Sequence, residues 1–244
     1  MSEPLDFNHL IDNHLAREFK PKTVGKYYPS EIGKCLRDTW YTYKFPLPTP
    51  AELVKIFEAG NILHHFVAEV MRSEKNPHVQ LLETELPFKI QIRDFVISGR
   101  IDNLLLVKAD NKKLLVEVKS TSRLDQDGPQ PQHVQQLQLY MHALKINDGM
   151  LLYIEKNTLR CHTYMVPYHE GEAAVVLDRF SRLHTHLTAG TLPLPEARGR
   201  DELGWMCRRC AYRDRCFSET PDNQLSLHQF NGHAPAPQPA PSQA

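Results

Sequence analysis

The chain has 244 residues, with 29 Lys and Arg balanced by 29 Asp and Glu. That length suits one sizeable core rather than two independently working domains, and the neutral balance excludes a chain-wide attraction to polyanions, so any nucleic-acid site must be a local cationic surface. No apolar run approaches the roughly 20 residues that span a bilayer, and "MSEPLDFNHL" lacks the cationic start and apolar stretch of a signal peptide, so the expectation is a cytoplasmic protein with no membrane contact.

A first helix is predicted over "LDFNHLIDNHLAREF". A second starts from Ser30 as N-cap, runs through "EIGKCLRDTWYTYKF" with Cys35 on it, and stops at Pro46 and Pro48. In "AELVKIFEAGNILHHFVAEVMRSE", Leu53, Phe57, Ile62, Phe66, Val67 and Val70 recur near one face of a third helix, with His64 and His65 in its middle. From Gln80 to Ser120 the pattern becomes short β-rich runs, "LLETEL", "FKIQI", "FVISGRIDNLLLV" and "LLVEVKS". Turns at Arg93-Asp94 and Asp110-Asn111 make these an antiparallel meander. "DQDGPQPQ" ends it, and "HVQQLQLYMHALKI" returns to a helix with Val134, Leu137, Tyr140, Met141 and Leu144 on one stripe. "GMLLYIE" and "RCHTYMVPY" read as a strand pair turning at Lys156-Asn157, and "EGEAAVVLDRFSRLHTHL" as a last helix. Beyond it, "PLPEARGRDELGWMCRRCAYRDRCFSE" is poor in core residues and dense in Arg and Cys. The folded domain is expected over residues 1–231, with a disordered Pro/Ala tail at 232–244.

The chemistry concentrates in "LLVEVKSTS". Side chains alternate across a strand, so Glu117 and Lys119 share one face while Val116 and Val118 point into the core. A hairpin turning at Asp110-Asn111 brings Asp102 of the preceding strand alongside Glu117. Two carboxylates are hard oxygen ligands suited to Mg²⁺ or Mn²⁺, and such an ion activates water and neutralises charge on a phosphodiester. A lysine beside them adds a cation for the transition state. The ordinary alternative is a Glu/Lys ladder on a half-exposed strand.

Asp102 followed by Glu117-Val118-Lys119 on the next strand resembles the D...ExK core of the PD-(D/E)XK nucleases. "GNILH" (60–64) resembles the GxxxH motif of their RecB-like branch, and "QLQLY" (136–140) its QxxxY motif, all in the expected order. One departure is Ile101, which stands where the family name has proline. The resemblance implies an α/β, restriction-endonuclease-like core with a mixed, mostly antiparallel sheet flanked by helices. It implies His64, Asp102, Glu117 and the Val118 carbonyl as metal ligands, and Lys119 as the residue that positions the attacking water. Gln136 and Tyr140, one helical turn apart, are implied to hold the substrate backbone or the lysine.

Cys207, Cys210 and Cys216 form a C-x2-C-x5-C cluster, and Cys35 is the candidate fourth ligand; four thiolates suit tetrahedral zinc or a cubane iron–sulfur cluster. Residues 193–220 have little core of their own, and metal–thiolate bonds can hold such a segment where packing cannot. Cys161 has no neighbouring cysteine and reads as a buried small residue. Arg208, Arg209, Arg213 and Arg215 interleave with the triplet, and Lys34 and Arg37 flank Cys35, a charge set that can grip phosphates. Trp40, Tyr41, Tyr43 and Trp205 are either core or base-stacking residues.

The lone upstream cysteine joined to a triplet resembles the iron–sulfur members of the RecB-like branch, in which a [4Fe-4S] cluster clamps the C-terminal segment. Over residues 30 to 217 the whole set is most similar to the CRISPR-associated exonuclease family, the fourth Cas family. That implies metal-dependent cleavage of single-stranded or frayed DNA during spacer acquisition, with the CRISPR integrase as partner. Repair nucleases such as exonuclease V or the AddB nuclease domain share chemistry and cluster. A non-catalytic zinc or iron–sulfur DNA-binding adaptor is the reading from another class.

Overall fold

The computed structural model describes residues 5–124 and 127–219; the tail expected at 232–244 lies outside them. The chain divides into two compact units, Met1–Pro193 and a second that begins at Leu194. The first is a mixed six-stranded sheet with helices, as the motifs imply.

The meander forms as read. Strands β2 (Val79–Ile92), β3 (Phe95–Val107) and β4 (Lys112–Thr121) are antiparallel neighbours, and Arg93 and Asn111 adopt positive φ in their two turns. The runs "LLETEL" and "FKIQI" are not two strands but one, bent by a bulge at Leu81/Glu83 and by Glu85 at φ 51°. Helix α4 (Pro131–Leu144) then crosses over to β5 (Asp148–Glu155), which pairs parallel with β4, and β6 (Cys161–Pro167) closes the edge antiparallel to β5. A two-residue strand, β1 (Lys26–Tyr27), pairs parallel with Val96 and Ile97 of β3.

This topology opens one place in the sheet. β2 occupies one edge of β3 along its whole length, so β1 and β4 must share the other. β1 takes only Val96–Ile97 and β4 only Asn103–Val107, which leaves residues 98–102 of that edge without a strand partner. Asp102 sits at the lip of the gap.

Two apolar layers cover the sheet. On one side Leu137, Tyr140 and Met141 of α4 pack on Ile101, Leu104, Leu115 and Leu151, the stripe predicted for that helix. Helix and strand come so close that a Cβ added at Gly149 would stand 2.8–2.9 Å from Leu137 Cδ2, Leu137 Cγ and Met141 Sδ. Gly149→Ala is therefore expected to cost about 1–3 kcal/mol through overpacking, seen as a Tm lower by several degrees in a thermal melt. An unchanged Tm would mean that the contact relaxes freely.

On the other side Val67 and Met71 of α3 (Ala51–Arg72) pack on Val116, Val118 and Ile154. Here the predicted stripe is corrected. Val67 is buried, but Leu53, Phe57, Ile62, Phe66 and Val70 are exposed, because α3 meets the sheet with its C-terminal half and through Leu63, Val67 and Met71. The second predicted helix is also shorter than expected. Residues 29–31 make a single 3₁₀ turn, and α2 (Leu36–Lys44) starts only after Cys35, which stands at its N-cap. The cause is Glu31, whose carboxylate turns inward to Lys22 (2.6 Å), the Tyr43 hydroxyl (2.9 Å) and the Tyr28 N–H (3.1 Å). Trp40, Tyr41 and Tyr43 are core residues. Cys161 is exposed on the edge strand β6 rather than buried.

The first helix is α1 (Phe7–Leu15), capped by the Asp6 carboxylate, and α5 (Glu170–Ala189) closes the first unit. In the second unit, α6 (Gly204–Arg209) and α7 (Arg213–Glu219) bury no residue. Among the described residues no helix is long and apolar enough to cross a membrane.

Candidate active site

The site assembles where β3 and β4 part. Backbone pairing ends at Asn103↔Val116, and one step further the Asp102 carboxylate takes over, its Oδ2 accepting the Val118 N–H at 2.8 Å. Asp102 is thus fixed by the strand it faces. Its other oxygen lies 3.4 Å from His64 Nδ1, on the helix that covers this face. Gly60, one turn before His64, carries α3 past the end of β4: a Cβ there would lie 3.5 Å from Ser120 Oγ. His65 is exposed.

Glu117 is buried, as its strand neighbours Val116 and Val118 are. Its Oε1 accepts from Lys119 Nζ at 2.6 Å, which in turn donates to Gln136 Oε1 at 3.0 Å. Gln136 Nε2 donates to the Tyr140 hydroxyl at 2.5 Å. The helical spacing of Gln136 and Tyr140 therefore produces one chain of contacts from α4 to the carboxylate.

The electrostatics follow from burial. Burial, and then the neighbouring Asp102 charge, push the Glu117 carboxyl up to about 7, against the opposing pull of Lys119. For Lys119, burial favours the neutral amine, but the Glu117 charge and hydrogen bond outweigh it and hold the pKa above its ordinary value. The lysine is a cation here, suited to orient water or stabilise negative charge, and not a base. His64 follows the same pattern: burial lowers its pKa, and the Asp102 contact more than reverses that.

A divalent cation fits one feature of this arrangement. Glu117 Oε2 is buried and receives no hydrogen bond. An acceptor in that state costs about 1–3 kcal/mol, more when charged. Glu31, the other buried glutamate described above, has donors on both oxygens. Among the described residues, no three or more His, Cys, Asp or Glu side chains are gathered as a metal-binding group: Asp102 leans on His64 and Glu117 on Lys119. For the cysteines, the test is the donor set. Cys35, Cys207, Cys210 and Cys216 are half-buried thiols, the ligand type that zinc and iron–sulfur centres require.

Sequence reasoning passed over two residues beside the lysine. Tyr153 on β5 is the register partner of Lys119, and its hydroxyl is held by the Gln130 N–H (3.0 Å) and His133 Nδ1 (2.8 Å). Burial, and then the Lys119 charge, pull His133 down to about 3, so its ring is neutral beside the tyrosine hydroxyl. The available signal was a tyrosine inside the apolar run "LLYIE".

Residues 58–217, about two thirds of the chain, match the PD-(D/E)XK nuclease superfamily. The chain is 24% identical over 208 residues to a CRISPR-associated exonuclease Cas4 from Saccharolobus solfataricus, spanning 84% of this chain and 93% of that one. The solved structure of SSO0001 superposes with a TM-score of 0.55 at 22% identity, covering 90% of this chain and 95% of the other, and so shares the fold. A phage-related exonuclease from Haemophilus somnus reaches a TM-score of 0.49 at 12% identity over 68% of this chain and 96% of its own.

Proposed function

Because the chain belongs to the PD-(D/E)XK nuclease superfamily, we propose that it is a Mg²⁺- or Mn²⁺-dependent deoxyribonuclease that hydrolyses phosphodiester bonds of single-stranded or frayed DNA. Its setting is cytoplasmic CRISPR spacer acquisition, with the integrase as partner, a role supported by similarity to the Saccharolobus exonuclease over most of both chains. The observation that carries the reading is the buried, donorless Oε2 of Glu117 beside Asp102 and a protonated lysine.

Asp102, Glu117, His64 and the Val118 carbonyl would hold the divalent ion, which supplies Lewis-acid activation of water and neutralises charge on the phosphate. The Val118 N–H fixes the Asp102 carboxylate, so that this ligand costs little to order. Two of the three Lys119 protons are engaged by Glu117 and Gln136. The third remains for the attacking water and then for the charge that develops on the phosphate. Gln136 and Tyr140 act as positioning residues, holding the ammonium against Glu117.

We assign Cys35, Cys207, Cys210 and Cys216 to a [4Fe-4S] cluster that clamps the second unit. The absence of any buried residue on α6 and α7 supports this: beside buried Ala197, Arg198 and Tyr212, metal–thiolate bonds would add the hold that these two helices do not supply by packing. The interleaved arginines 208, 209, 213 and 215 would add a phosphate-gripping surface.

Anaerobically purified protein is expected to degrade single-stranded DNA with Mg²⁺ or Mn²⁺, to leave it intact in a chelator, and to show the broad visible absorbance of a cubane cluster. Intact DNA with every divalent metal would end the nuclease reading, and a colourless, zinc-bearing sample the iron–sulfur one.

A further inference from the structure

The row that begins at Lys119 continues across the sheet. By register Tyr153 of β5 is its partner, and His162 of β6 is the partner of Tyr153. The three side chains therefore stand in line on the face that carries Glu117, and His162 lies two strand spacings, about 9–10 Å, from Lys119. Tyr164 follows on the same face of β6. Its ring stacks on His162 at 4.5 Å between centroids and 12° between planes, and meets Tyr153 edge-on at 5.8 Å. These rings, with Arg123 and Leu124, line a shallow depression. Tyr153 is its rigid floor, held by Gln130 and His133. Arg123 is presented by a turn just beyond β4, in which Thr121 Oγ1 donates to the Arg123 carbonyl at 2.8 Å.

Two readings compete. Rings on an edge strand can simply shield Leu124. But His162 is exposed, so its stack on Tyr164 buries little, and packing does not call for a cation at the rim. Parallel aromatic faces beside an arginine are the chemistry that receives a nucleobase with its phosphate, a contact worth about 1–3 kcal/mol per base and tolerant of sequence.

We propose that this depression is a subsite for one unpaired nucleobase of the strand being cut, stacked on the His162–Tyr164 pair with Arg123 on the adjoining phosphate. The proposal rests on the nuclease reading of the Lys119 site and adds a reason for it to act on single strands: an unpaired base has a free face to lay on these rings, and a base stacked within a duplex does not.

An abasic scan tests it. Single-stranded oligonucleotides, each with one abasic residue at a successive position around the scissile bond, are cut by the parent protein with Mn²⁺. The expected result is a loss of about tenfold or more in kcat/KM at one position near the scissile phosphate, and little change elsewhere. In the double variant His162→Ala with Tyr164→Leu, cleavage of the intact oligonucleotide should fall by a similar factor and the positional sensitivity should vanish. Tyr164→Phe, which keeps the ring, should retain both. Arg123→Ala should shallow the salt dependence of binding by about one phosphate contact. A parent that cuts every abasic oligonucleotide equally overturns the subsite and leaves the nuclease standing. One that cuts nothing overturns the reading beneath it as well.

Discussion

Lys119→Ala is expected to lower the rate of DNA cleavage by at least about a hundredfold while Mn²⁺ still binds within a few-fold of the parent, because the change removes one preorganised donor and no metal ligand. The geometry makes the two readouts separable. Nζ sits between Glu117 Oε1 and Gln136 Oε1, so its loss frees a carboxylate oxygen and removes the cation proposed to face water and phosphate. Cleavage assays on single-stranded DNA give the first quantity and calorimetric titration of Mn²⁺ the second. Parent-like cleavage by the alanine variant would remove Lys119 from the mechanism, whereas a collapse of Mn²⁺ affinity would recast it as a structural prop of the metal site.

Glu117→Gln should produce the opposite combination: a stabilised metal-free protein that no longer responds to metal. In the folded state the Glu117 carboxyl titrates near 7 because burial, and then Asp102, disfavour its charge, whereas its ordinary value is 4.5. The folded protein therefore holds this proton more tightly than the unfolded chain. Its contribution to stability is fully present below about 4.5 and is lost as pH rises through about 7. Glutamine has no proton to lose and keeps an acceptor for Lys119. At pH 8 without metal the variant should be more stable by about 1–3 kcal/mol, read as a Tm several degrees higher, with the gap closing as pH falls toward 4.5. Saturating Mn²⁺ should raise the Tm of the parent and leave that of the variant unmoved. The Mn²⁺ affinity of the parent should weaken as pH falls through about 7, since proton and metal compete for one carboxylate. A variant that melts lower at pH 8, or one that still gains stability from Mn²⁺, would show that Oε2 is not where the cation is received.

Much of the site was legible because it depends on short-range periodicity. The alternation in "VEVK" put Glu117 and Lys119 on one face, the Asp110-Asn111 turn aligned Asp102 with them, and the four-residue interval fixed Gln136 below Tyr140. What escaped depends on partners that no local pattern names. The apolar repeat of α3 marks a helix face but cannot say which residues the sheet will take, and it takes Leu63, Val67 and Met71, leaving Phe57 and Ile62 in solvent. Glu31 reads as an ordinary first-turn acid of a helix from Ser30. Only the inward pull of Lys22 and Tyr43 turns it into a stop. β1 is two residues long and below the reach of any pattern. The parallel pairing of β4 with β5, which sets Tyr153 and then His162 beside Lys119, spans a whole helix in sequence and became visible only in the folded sheet.

The carboxylate of Asp102 does two jobs at once: it meets His64 in the candidate site, and it replaces the missing rung of the β3–β4 ladder by receiving the Val118 N–H. Asp102→Ala would remove a proposed ligand and also unzip the end of the strand that carries Glu117 and Lys119, so loss of activity in that variant cannot tell lost chemistry from a loosened scaffold. For trapping an uncut DNA complex, the lysine is the cleaner residue to change, since its removal leaves the seam between the two strands sewn.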